Sequence, residues 1–187
     1  MPAASIRMEQ HGEPQAIIIS WLATYAAMTP GVQPGGSATS KLDDDNDPEG
    51  DAVLRIRPEF GGQSKTDAKG YIEGAPELLV EVTASTLPRD LQLKFEIYRR
   101  NGVREYLVWE TIAEEFHWFA LENGEYVRLV PDEQHVLRSR VFPGLWLDVH
   151  TLLSGNLARV LDFVRQGAAS LEHAAFAAEL AARRVKS

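Results

Sequence analysis

Glu77-Leu-Leu-Val-Glu-Val-Thr83 is the stretch on which the fold turns. It is almost unbroken in Leu and Val, which predicts a strand covered on both faces, as in a sheet flanked by helices. Residues 86–101 follow, with Ser/Thr ahead, Pro88 in the first turn and Asn101-Gly102 at the end, and they predict a helix. Val103–Glu110 then reads as a second buried strand. Upstream, Ile18, Trp21, Leu22 and Tyr25 recur at three- and four-residue spacing, predicting a helix over Gln15–Met28 that Thr29-Pro-Gly stops. Ala52-Val-Leu-Arg-Ile-Arg57 is a short β-branched strand. The residues through Pro14 show no periodicity. Residues 31–50, rich in Gly, Ser and Asp, read as a loop with an extended piece around Ser40–Leu42, and Gly61–Gly74 as a loop or flap.

Downstream, Glu115–Leu121, Glu125–Leu129 and His135–Arg138 alternate as hairpin strands, with Glu122-Asn-Gly as a turn. Leu145–Leu147 is a last short strand, and Leu157–Arg184 an Ala-rich helical tail. The expected class is α/β (α+β), a mixed sheet flanked by helices with an antiparallel meander and a C-terminal helix. The expected organisation is one domain over 1–155 and a helical extension over 156–187. In the extension, Leu157, Val160, Leu161, Val164, Ala168 and Leu171 form a stripe that suits a homodimer and equally suits packing on the parent domain.

The totals are those of a globular chain: 187 residues, 44% hydrophobic and 25% charged. Apolar runs are too short to span a bilayer, and the N-terminus does not resemble a signal peptide. There is no cysteine, which removes disulfides, thiolate nucleophiles and cysteine zinc sites and is compatible with a cytoplasmic location. The net charge of −8 argues against a nucleic-acid partner. Yet Asp43, Asp44, Asp45, Asp47, Glu49 and Asp51 fall within nine residues, and without those six the rest of the chain carries only −2. Carboxylates gathered near a site can be offset by divalent cations.

Three residues stand out. Glu81 lies in an apolar strand, where a carboxylate without a partner costs on the order of several kcal/mol. It requires a cation, a basic side chain or donors, unless its head reaches solvent or joins a structural ion pair. Asp51 begins the preceding strand, where it can face a carboxylate on a paired strand; hard divalent cations favour such oxygen ligands. On a helical wheel Leu91, Leu93, Phe95, Ile97 and Tyr98 form the apolar arc, and Lys94 falls between Ile97 and Tyr98. It either snorkels, pairs with Asp90 one turn earlier, or aims an ammonium at the carboxylates. The five histidines show no HxH, HxxxH or HExxH spacing, and no GxSxG elbow or phosphate-loop pattern is present. The four tryptophans sit in regular elements and read as core.

Gly74-Ala-Pro-Glu-Leu-Leu-Val-Glu-Val-Thr-Ala-Ser-Thr86, Arg89-Asp-Leu-Gln-Leu-Lys94 and Tyr98-Arg-Arg-Asn-Gly-Val-Arg-Glu-Tyr-Leu-Val-Trp109 together resemble the Uma-two family of endonuclease-type proteins. That family belongs to the PD-(D/E)XK superfamily of restriction-endonuclease-like folds. The resemblance spans roughly 11–155 and includes Val141-Phe-Pro-Gly-Leu-Trp-Leu-Asp148. It implies a restriction-endonuclease-like sheet, with Asp51 as the first acid and Glu81 as the second. The superfamily's lysine usually stands two residues after the second acid, where this chain has Thr83; the family supplies it from the next helix, which maps onto Lys94. Position 50 is Gly where the family usually has Pro. By the same analogy the backbone carbonyl of Val82 is a metal ligand, the ion is Mg²⁺ or Mn²⁺, and the substrate is DNA. Gln63, Lys65 and Lys69 are candidate backbone contacts or simply part of a solvated loop. The competing expectation is an inactive nucleic-acid-binding or protein-interaction module that keeps the nuclease fold.

Overall fold

The computed structural model describes residues 7–43, 46–84 and 88–184, with the backbone alone at 88–91. A wide helical turn, Met8–Gly12, leads into α1 (Glu13–Met28). Then come β1 (Val32–Lys41), β2 (Glu49–Ile56), a 3₁₀ turn at Pro58–Phe60, and the two-residue strands β3 (Lys65–Thr66) and β4 (Ile72–Glu73). Next are β5 (Leu78–Thr83), α2 (Pro88–Arg100), β6 (Glu105–Glu110), β7 (Glu115–Glu122) and β8 (Glu125–Arg128). The chain closes with β9 (Val136–Arg138), β10 (Trp146–Asp148), α3 (Val149–Leu153), α4 (Leu157–Ala168) and α5 (Leu171–Arg183).

Eight strands form one mixed sheet in the order β3-β4-β1-β2-β5-β6-β7-β8. β5 and β6 are parallel, as their connection through α2 requires, and β2 runs antiparallel to β5. The expected mixed sheet with helices on its faces is what forms. The turn between β7 and β8 is the two-residue Asn123-Gly124 pair, with φ of 51° and 86°, a geometry that Asn-Gly adopts readily. β9 departs from the expected meander and pairs with β10 in a separate two-stranded sheet.

Alternation along the strands divides the core in two. Ala52, Leu54, Leu78, Val80, Val82, Leu107 and Trp118 point to the face covered by α1, with Ile18, Trp21, Leu22 and Tyr25 against them. Val53, Leu79, Tyr106 and Val108 point to the opposite face, against Tyr98, Phe95 and Ile97 of α2. The helical tail is two helices broken at Ala169-Ser170, where the Ser170 hydroxyl accepts from the His173 N–H. Val160, Val164 and Leu180 join the α1-side core, whereas Leu157 and Leu171 are exposed. No helix among the described residues is long and apolar enough to cross a membrane.

The largest departure from expectation is β1, a ten-residue strand where a loop was expected. Val32-Gln-Pro-Gly-Gly-Ser-Ala-Thr-Ser-Lys41 has little β propensity, and its pairing with β2 along most of its length imposes the extended form. Gly36 lets α1 come close: a Cβ there would stand 2.8 Å from Ile19 Cδ1. Residues 61–74 are likewise not all loop, since β3 and β4 extend the sheet along the far end of β1.

Candidate active site

The register of β2 on β5 sets Ala52 opposite Val80 and Val53 opposite Leu79, so Asp51 falls opposite Glu81 at the next step. Glu81 in turn lies beside Val108 of β6. Alternation places both acids on the α2 face. Glu81 is buried, and each of its oxygens has a donor from α2: Lys94 Nζ donates to Oε2 at 2.8 Å, and Tyr98 Oη to Oε1 at 2.7 Å. Lys94 and Tyr98 are one turn apart, so a single helix face supplies both. Asp51 accepts from the Val82 backbone N–H through Oδ2 at 2.7 Å, and its Oδ1 lies 3.1 Å from His11 Nε2. Gln15 braces the same residue by donating to the Asp51 carbonyl and to Ser37 Oγ.

Burial pushes the Glu81 carboxyl above the usual carboxylate range; the Lys94 charge and the two hydrogen bonds pull it back, and the nearby Asp51 pushes it further up. The Tyr98 hydroxyl is raised by burial first and by Glu81 second, so it stays protonated and donates. Lys94 touches Glu81; among the described residues no ion pair joins it to Asp51. The Asp90 side chain, and with it the Asp90–Lys94 pair, lies outside the described residues, as do Asp44 and Asp45.

Two carboxylates on one sheet face suit a hard divalent cation. Both Glu81 oxygens and Asp51 Oδ2 each accept from one protein donor, and an ionised carboxylate offers about four lone-pair sites, so coordination capacity remains. With 18% of the Asp51 side chain and 29% of the Lys94 side chain exposed, the site is open to a ligand. Val82, the expected carbonyl ligand, follows Glu81 directly and holds Asp51 through its N–H. Thr83, at the superfamily's usual lysine position, accepts on its carbonyl from the Thr111 N–H.

The remaining candidates are not drawn to this group. Gln63 donates to the Gly102 carbonyl, accepts from Arg104, and gives its N–H to Glu77. Lys65 pairs with Glu73 at 3.2 Å, and Lys69 sits exposed in the turn capped by Asp67.

Sequence reasoning missed three contributors. Tyr98 counted only as an apolar wheel position, while His11 and Gln15 lay at the margin of a segment without periodicity. It also missed Glu110, Glu115 and His117, whose ligating atoms lie within 4.8 Å of one another. Glu110 and Glu115 are a cross-strand pair, and His117 is two residues on, so spacing within one segment cannot reveal them.

The family model described as "Uma2: Putative restriction endonuclease" matches residues 4–150. No curated protein matches the chain. Among solved structures, a "putative nuclease belonging to DUF820" from Anabaena variabilis superposes with a TM-score of 0.60 at 12% identity, over 81% of this chain and 84% of that one. At that identity the likeness is one of fold. The family match, covering most of the chain from ahead of the His11 turn to the end of the two-stranded sheet, makes this protein a member of the Uma2 family.

Proposed function

We propose that the protein is a metal-dependent endonuclease that hydrolyses phosphodiester bonds in DNA, with Asp51, Glu81 and the Val82 carbonyl holding Mg²⁺ or Mn²⁺. The observation that carries this reading is Glu81: a buried carboxylate opposite a second acid, held by an ammonium and a phenol from one helix face. A bound divalent ion supplies a water of lowered pKa and neutralises phosphate charge. The chain does the positioning. Tyr98 fixes the Glu81 carboxylate in place, while the Val82 N–H and His11 fix Asp51. Lys94, partly exposed beside Glu81, places a positive charge where negative charge develops on the phosphate. The test is plasmid nicking with Mg²⁺ and with Mn²⁺. Wild type is expected to nick, with Asp51→Ala, Glu81→Ala and Lys94→Ala each slower by roughly 10²-fold or more. Equal nicking by wild type and all three variants overturns the assignment.

A further inference from the structure

Arg55 is the one lysine or arginine buried among the described residues, at 6% exposure. A buried guanidinium is usually matched by a carboxylate, because desolvating an unpaired charge costs on the order of several kcal/mol. Arg55 has no such match. Its Nε and Nη2 donate to Gln33 Oε1 at 3.1 and 2.8 Å, and Nη2 also donates to Thr66 Oγ1 at 2.6 Å, both neutral acceptors. Its Nη1 has no hydrogen-bond partner. Glu77 and Glu59 act on it only through space, against Arg57, and neither forms an ion pair with it. Both oxygens of Glu77 are committed to backbone donors, the N–H groups of Ile56 and Gln63.

Arg55 lines a cavity of about 350 Å³ together with Gln33, Arg57, Glu59, Lys65 and Thr66. Two arginines and a lysine that also pairs with Glu73, set against Glu59 with hydroxyl and amide groups between them, make a lining suited to an oxyanion. Arg55 is four residues along β2 from Asp51, and alternation puts both on the same sheet face. At about 3.3 Å per residue the separation is roughly 13 Å, or about four 3.4 Å steps along one strand of a duplex.

We propose that this cavity binds a phosphate of the DNA backbone, a few nucleotides from the bond cleaved at Asp51 and Glu81. The assignment rests on the nuclease reading for the identity of the strand, and on Arg55 alone for the presence of a site. Arg55 then supplies no sequence preference: a phosphate contact sets register on the duplex without reading bases.

The experiment measures binding of a fluorescent 20-bp duplex across a salt series, in Ca²⁺ to prevent turnover, for wild type, Arg55→Met, Arg57→Ala and Lys65→Ala. Thermal unfolding is followed in parallel with and without inorganic phosphate. In wild type, phosphate is expected to raise the melting temperature. Arg55→Met is expected to bind the duplex at least tenfold more weakly, with a salt slope lower by about one, the mark of one lost phosphate contact. The same variant is expected to melt no lower than wild type, since a buried charge without a counter-ion is a cost to the fold. Arg57→Ala and Lys65→Ala, both at exposed positions, report on the cavity should Arg55→Met fail to fold. Wild-type affinity and slope in every variant that folds overturn the proposal. So does a phosphate-induced rise in melting temperature combined with duplex binding indifferent to all three changes, which would mark a small-anion site only. Nicking separates this result from the nuclease reading. Wild type that binds through Arg55 but fails to nick with either Mg²⁺ or Mn²⁺ keeps the cavity and loses the hydrolysis; nicking that survives with duplex binding unchanged in the variants does the reverse.

Discussion

Replacing Lys94 with Met removes the ammonium that sits 2.8 Å from Glu81 Oε2 while keeping most of the side chain's volume. At an effective dielectric constant of 20, two unit charges at that distance attract by roughly 6 kcal/mol. The Lys94 side chain is 29% exposed and therefore screened, which cuts the useful part to about 2 kcal/mol. That corresponds to roughly 1–2 pKa units on Glu81. The direction follows from the site: burial already holds this carboxyl above its ordinary value, and Lys94 is the strongest influence opposing it. Lys94→Met is therefore expected to raise the Glu81 pKa further. A folded-state pKa above the unfolded value means stability is greatest at low pH and is lost as pH rises through the folded value. The variant should match wild type near pH 4 and fall below it by about 2 kcal/mol near pH 8. Carbon-13 NMR titration of glutamate carboxyls in the metal-free protein reads the pKa, and urea unfolding at the two pH values reads the stability. A Glu81 pKa unchanged or lowered in Lys94→Met would refute the account of how this charge is held.

Two further outcomes are expected. Glu105, fully buried beneath the Ser139–Val141 segment, has its carboxyl pushed up to about 7 by burial, against the donors Ser139, Arg140 and Val141. Its contribution to stability is therefore lost as pH rises from about 5 to 8, by up to about 3 kcal/mol, and Glu105→Gln should flatten that part of a calorimetric pH profile. At Gly167 of α4 an added Cβ would stand 2.0 Å from the Gly144 carbonyl oxygen, backbone against backbone, so Gly167→Ala should cost at least about 1–3 kcal/mol, visible as a lowered melting temperature.

What could be read in the sequence was what depends on local pattern. The Glu77–Thr83 run, the helix after it and the Asn123-Gly124 turn each carry their own signal, and all three form. The helical wheel placed Lys94 on the inner face, and the ammonium does reach Glu81. The same wheel misjudged Leu93 at the edge of the arc, which is 59% exposed. What could not be read depends on partners remote in sequence. β1 is extended because β2 pairs with it, despite its own Pro and glycines. His11 meets Asp51 across forty residues, and a tyrosine's phenol counts as apolar until a carboxylate is found opposite it. Arg55 was one charged residue in a short β-branched strand; its isolation appears only when its neighbours prove to be Gln33 and Thr66.

The parallel pairing of β5 with β6 also bears on how the molecule comes together. Glu81 is flanked on one side by β2, far upstream, and on the other by β6, which follows α2. Closing such non-local pairings costs loop entropy before any contact repays it, which makes them slow to form. A chain emerging from the ribosome exposes Asp51, Glu81 and Lys94 before it has the strand that walls Glu81 in. The acid pair thus takes up its geometry only once Val103–Glu110 has docked, so premature or truncated chains hold the two acids without their arrangement.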